Sequence, residues 1–163
     1  MTSKVTFLSE AYGAYNHREV PDPDDFITRV GPGTPCGEYM RRFWHPVAVA
    51  EDLKQFPKAI RILGEDLVVF RDGSGQLGLL ELHCTHRAAS LEFGLIEDRG
   101  IRCCYHGWVF DVDGKILKMP GVEGTMKDRL YQGAYPVLER YGLVWAYMGP
   151  PDKKPEFPDS SNW

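Results

Sequence analysis

The chain has 163 residues, 43% of them hydrophobic, and a formal net charge of −4, which is enough for one ordinary core and too little for two large domains. Basic and acidic residues are mixed throughout, so neither a nucleic-acid face nor a polybasic membrane arm is expected, and no apolar run approaches the length of a membrane span. The first twenty residues lack an apolar h-region with a cleavage site, and the four cysteines are too few for a disulfide scaffold, so the expectation is a cytoplasmic protein whose thiols are ligands or buried groups.

In chain order, residues 1–45 read as a wrapping segment, polar and broken by "PDPDD" and "GPGTP". Within it "CGEYMRRFWHP" predicts one short helix after Pro35, with Tyr39, Phe43 and Trp44 on one face and Pro46 as its stop. Residues 46–150 then turn to short β-branched and aromatic runs: "KAIRIL", "LVVFR", "QLGLLEL", "GIRC", "WVFDV", "KILKM", "YPVLERY" and "LVWAYM". Tight-turn strings "GED", "DGSG" and "DVDG" separate them, which predicts antiparallel hairpins in a small all-β sandwich or barrel. Residues 151–163 are proline-rich and charged, and read as the start of a linker.

The chemistry concentrates in "LHCTHRAAS" and "IRCCYHGWVF". Cys84 and His86 are separated by one residue, and after a gap of sixteen residues come Cys103 and His106 in a C-x-x-H pattern. A single tetrahedral zinc favours longer spacings within each pair, because both ligands must reach one atom without strain, and C-x-H fits that poorly. Two metals remove the difficulty, since both cysteines can bind one iron and both histidines the other, as in a Rieske-type [2Fe–2S] cluster. Choosing Cys104 over Cys103 would leave C-x-H on both sides and an unexplained thiolate next door, so Cys104 is read as a small buried hydrophobe, and Cys36 likewise.

The strings "CTHRAASLEFG" and "RCCYHGWVFDVDGKIL", extended by "GTPCGEYMRRFWHPVA" and "YGLVWAYMGPPDKKP", resemble the Rieske domain that begins the α-subunit of aromatic-ring-hydroxylating oxygenases, particularly the phthalate-dioxygenase-like branch. The resemblance covers most of the chain. It implies that Cys84 and Cys103 bind the buried iron and His86 and His106 the exposed one. It also implies a Rieske-type fold with a cluster-binding subdomain, and electron transfer from a reductase or ferredoxin to the mononuclear Fe(II) domain of a neighbouring subunit. That iron is expected only outside this chain, because the H-x₄₋₅-H signature of its site does not occur here, and no catalytic residue is assigned. A trimer-based oligomer follows for the full-length protein, the isolated chain being monomeric, with Phe43, Trp44, Phe157 and Trp163 as surface that a further domain would cover. The family's common C-P-H-R-G string is altered to Thr85 and Ala88 here, so alanine is strained if position 88 needs a positive φ. Respiratory-chain Rieske proteins brace their cluster loops with a disulfide and donate a serine hydroxyl to the cluster; Ala89, Tyr105 and Trp108 stand at those places, which predicts a low potential.

Other groups have plainer readings. His17, His45 and His83 are surface or helix-end histidines. Arg87 pairs either within its loop or with a partner's carboxylate, Trp108 packs beneath the cluster, and Tyr105 either hydrogen-bonds near it or packs. A stand-alone Rieske ferredoxin is the alternative, and "GPGTPCGEYMRRFWHPVA", superfluous in a minimal shuttle, argues for the oxygenase. A structural zinc module would be colourless and free of sulfide.

Overall fold

The computed structural model describes residues 22–122 and 124–158, so His17 and Trp163 lie outside the described residues. Three antiparallel sheets carry the described residues. The first orders β1 (Trp44–Val49), β10 (Leu143–Tyr147) and β9 (Val137–Arg140); the second β2 (Lys58–Ile62), β3 (Glu65–Arg71) and β4 (Leu77–Glu81); the third β5 (Leu95–Ile96), β6 (Ile101–Arg102), β7 (Val109–Phe110) and β8 (Ile116–Lys118).

The second sheet is the middle layer. Its strand β3 sends Leu67 and Val69 into a core shared with Val144, Ala146 and Met148 of the first sheet's side. Val68 and Phe70 point the other way, into a core with Ile101, Phe110 and Ile116 of the third sheet. Because successive side chains of a strand face opposite sides, a strand buried on both must be apolar without alternation, and "LVVF" is that run. All four residues are at most 1% exposed. Burial on this scale contributes roughly 1.5–3 kcal/mol for each large side chain.

Turn chemistry sets the register. Leu63 and Gly64 (φ 47° and 78°) close β2–β3, and Tyr141 and Gly142 (φ 56° and 74°) close β9–β10. Paired left-handed residues give the turn whose twist matches the flanking strands. Tyr141 therefore belongs to a turn and not to the end of a strand. Between β3 and β4, Asp72 accepts hydrogen bonds from Ser74 N and Oγ and from Gln76 N, and reaches across to Gly100 N at 3.0 Å. That stretch, Gly73–Gly78, happens to spell G-x-G-x-x-G. It forms a hairpin turn and runs into a strand instead of opening a helix, so it is not a dinucleotide loop.

The helix expected after Pro35 is α2 (Pro35–Met40), capped by Thr34, whose Oγ1 accepts from Gly37 N. A further helical turn, α1 (Asp25–Thr28), precedes it. Helix α2 ends before Pro46, which sits in β1 instead. An edge strand needs no N–H on its open side, and the register shifts between Pro46 and Ala48, both circumstances that admit proline. Tyr39 and Phe43 do meet, edge to face with centroids 5.3 Å apart, whereas Trp44 turns away to Tyr147 and Phe157. Arg41, 5% exposed, locks α2 to the middle sheet: it pairs with Glu65 and donates to Leu63 O at 2.9 Å. Tyr135 donates to the same Glu65 at 2.8 Å, and burial with that carboxylate pushes its phenol up to about 12.

Candidate metal centre

Two loops at one end of the third sheet carry the cysteines and histidines. Loop 1, residues 84–89, leaves the middle sheet after β4 and is closed at its neck by the His83–Ser90 bridge. Loop 2, residues 103–108, is the connection between β6 and β7, closed by the Arg102–Val109 pair.

The loops share one hydrogen-bond plan. In loop 1 the N–H of Cys84 donates to Ala89 O at 2.9 Å and that of Ala88 to Cys84 O at 2.8 Å. In loop 2 Cys103 N donates to Trp108 O at 2.8 Å and Gly107 N to Cys103 O at 3.1 Å. Each is thus a six-residue turn with cysteine first and a left-handed residue fifth, Ala88 at φ 54° and Gly107 at φ 73°. The strain expected at Ala88 is therefore present.

This plan turns both cysteines inward. Cys84 and Cys103 are 2% and 4% exposed, among Leu91, Trp108, Phe110 and Met119. Burial pushes the Cys84 thiol up to about 11, against the pull of the backbone N–H groups of His86 and Arg87, and Cys103 adds to the rise. A metal would take both as thiolates by displacing their protons.

The histidines lie outward of the thiols, His86 half-buried and His106 exposed, with ring centroids 4.7 Å apart. Partial burial, the neighbouring His106 and the Arg87 guanidinium each push the His86 imidazole below its ordinary value, favouring the neutral ring that can ligate. Trp108, 5% exposed, stacks on His86 at 4.4 Å and 6°, and so walls the site beneath the imidazole. Tyr105 lies 3.7 Å from His106, centroid to centroid, with 62% of its surface exposed. Of the two roles weighed for it, contact with the histidine is the one observed.

Cys104 is exposed, which corrects the expectation of a buried hydrophobe. The loop plan explains it: the turn draws its first residue, Cys103, and its last, Trp108, inward, and Cys104 is second. Cys36 is half-buried. Arg87 is exposed and makes no ion pair among the described residues. His83 is exposed, as its plainer reading expected, whereas His45 is half-buried within β1, its Nε2 2.8 Å from Met40 O, and so is neither a surface nor a helix-end residue.

One residue that sequence reasoning passed over touches loop 1. Gln132, 1% exposed, accepts a hydrogen bond from Thr85 N and donates to Glu81 O and His83 O, each at 2.8 Å. Nothing in "LYQGAYP" marks it, because its partners are about fifty residues away in the chain.

Among the described residues no three His, Cys, Asp or Glu side chains are grouped to hold a single metal ion. The donors come instead as a buried thiol pair and an outer imidazole pair, a set that fits a [2Fe–2S] cluster with unlike irons. Among the described residues no helix is long and apolar enough to cross a membrane.

A family model described as the Rieske [2Fe-2S] domain matches residues 43–136. The tert-butanol monooxygenase / tert-amyl alcohol desaturase oxygenase subunit of Aquincola tertiaricarbonis is 56% identical over 91% of this chain and 33% of its own length. The phenoxybenzoate dioxygenase subunit alpha of Ectopseudomonas oleovorans is 51% identical over 96% of this chain and 39% of its own. A crystal structure of dicamba monooxygenase with non-heme iron and dicamba superposes with a TM-score of 0.69 at 30% identity, covering 76% of this chain and 38% of that one. The chain thus spans between a third and two fifths of the curated relatives named here.

Proposed function

The chain belongs to the Rieske [2Fe–2S] domain family, and on that premise we propose that Cys84 and Cys103 hold one iron and His86 and His106 the other, in the electron-transfer domain of a Rieske non-haem iron oxygenase. The observation that carries the reading is the segregation of the four donors, thiols sealed in the core and imidazoles side by side at the surface. When bound, the cluster supplies a one-electron couple.

The chain's own residues give that couple a direction. The apolar wall of Leu91, Trp108, Phe110 and Met119 keeps water and partners from the thiol side. His86, its ring plane set by Trp108, and His106, flanked by Tyr105, form the open face toward which a redox partner must come. The partners in this reading are a reductase or ferredoxin that donates electrons and the mononuclear-iron domain of a neighbouring subunit that accepts them. The assembly is trimer-based and works in the cytoplasm on aromatic ring hydroxylation or demethylation. In this reading residues 46–150 make up the cluster domain, although its first strand already begins at Trp44, and the described residues 22–45 are the segment before it. In favour of the oxygenase over a minimal carrier, the segment through α2 is tied to the barrel by the Arg41–Glu65 pair, and Phe43 keeps 46% of its surface exposed for a covering domain. Trp44 and Phe157 half-bury one another beside it, with ring centroids 5.8 Å apart.

The test is ligand substitution with anaerobic reconstitution. Cys84→Ser, His86→Ala, Cys103→Ser and His106→Ala each lose the Rieske spectrum, whereas Cys104→Ser keeps it. Retention by Cys103→Ser together with loss in Cys104→Ser would refute the assignment. With no disulfide between the loops and no hydroxyl at Trp108, the potential falls below about 0 mV, and a titration well above that value refutes the oxygenase-like environment.

A further inference from the structure

Loop 1 holds a feature that loop 2 lacks, an alanine in the left-handed corner at φ 54°. A non-glycine residue is strained there and persists only where its surroundings over-determine the backbone. The loop's own two hydrogen bonds are the same as those of loop 2, so they do not account for the difference. Outside the loop the one side chain that hydrogen-bonds to its backbone, among the described residues, is Gln132.

The carboxamide of Gln132 has its oxygen and both N–H groups engaged, at 2.8 Å each, on Thr85 N, Glu81 O and His83 O. These partners bracket Cys84 on both sides. The main chain of Gln132 is fixed in turn: its N–H donates to Gly114 O at 2.8 Å, in the β7–β8 turn that follows loop 2. The packing is close enough that a Cβ on Gly114 would come within 2.0 Å of Gln132 O. On either side the segment is pinned by the Lys115–Tyr131 bridge, by Glu81 N donating to Gly133 O, and by the Leu80–Ala134 bridge. Gln132 therefore stands at the crossing of a strap that runs from the β7–β8 hairpin, next after loop 2, to the root of loop 1.

We propose that Gln132 is the positioning residue of the centre: it holds the Cys84–Thr85 peptide in place relative to loop 2 and thereby sets the geometry at Cys84. Threonine at 85 brings a backbone N–H that a proline would not, and the buried carboxamide oxygen is its partner. The inference rests on the reading of Cys84 as a cluster ligand.

The test compares Gln132→Met, close in size but unable to make any of the three hydrogen bonds, with Val144→Ala, a cavity in the other core. The unsubstituted chain must first show a Rieske electron paramagnetic resonance spectrum; if it does not, the ligand reading itself has failed. Given that spectrum, Gln132→Met shifts the g-values and the midpoint potential, and Val144→Ala lowers thermal stability with both unmoved. In the cluster-free protein the Thr85 amide exchanges hydrogen about 10-fold faster or more in Gln132→Met. Should that variant fail to fold, Gln132→Asn, which keeps the amide but shortens its reach, is expected to give smaller shifts of the same kind. A folded Gln132 variant whose spectrum, potential and Thr85 exchange match the unsubstituted chain overturns the proposal.

Discussion

Loops 1 and 2 are built to the same plan and braced differently, and the difference separates what the plan does from what each loop adds. In both, a six-residue turn closed by two backbone hydrogen bonds draws its first residue, cysteine, into the core. That common part explains why Cys84 and Cys103 are buried while Cys104, one step further on, faces solvent. The histidines occupy unlike places in the plan, His86 third and His106 fourth, and these unlike places bring the rings to 4.7 Å of one another across the gap between the loops. Loop 2 takes a glycine at its left-handed corner and has no side-chain brace among the described residues. Loop 1 takes alanine there and is held by Gln132.

The largest effect is expected from erasing the unlike histidine positions. The double variant His86→Arg/Arg87→His gives loop 1 the C-x-x-H spacing of loop 2 and moves the imidazole off Trp108. It is expected to reconstitute no Rieske centre, and recovery of the wild-type spectrum would show that the third position is immaterial. Next is the corner of loop 2. Gly107→Ala leaves the new Cβ at an ordinary 3.5 Å from Pro120 Cγ, so the cost is the backbone strain alone, about 1–2 kcal/mol in urea unfolding. A neutral result would mean that loop 2 relaxes out of the shared plan.

How much of this was legible in the sequence follows the range of the interactions. The C-x-H…C-x-x-H pattern is local, and so are the hairpin turns and the apolar run of β3. The strand around Pro46 was not, because proline after a helical stretch reads as a stop, and only its pairing with Trp145, a hundred residues on, reveals an edge strand. The exposure of Cys104 needed the loop's hydrogen bonds. Gln132 needed three partners supplied by chain remote from it, and no composition rule marks a glutamine for that role. The strain at Ala88 was readable only as a condition, and φ 54° now meets it.

Two smaller effects sharpen the comparison. Tyr135, away from both loops, serves as the reference for pH. Its neutral form is favoured in the fold, with the phenol at about 12 against 10 in the unfolded chain. Its stabilisation is therefore complete below pH 10 and lost as pH rises from 10 to 12, about 1 kcal/mol after solvent screening of a half-buried group. Tyr135→Phe removes that part of the alkaline decline in stability, and an unchanged decline would assign it elsewhere. Ala88→Gly, finally, is expected to stabilise the protein by about 0.5–1 kcal/mol, the relieved strain being partly offset by a more flexible unfolded chain. A loss of stability would show that loop 1 prefers its alanine.

The central claim is that the donors are divided, thiols on the buried iron and imidazoles on the outer one. Pulsed electron paramagnetic resonance of the reduced, reconstituted chain reads that division directly through the nitrogens coupled to the electron spin. Two distinct imidazole nitrogen couplings, both kept in Cys104→Ser and reduced to one or lost in His86→Ala or His106→Ala, are the predicted result. A centre with no coupled nitrogen, or a single metal bound without acid-labile sulfide, would contradict it.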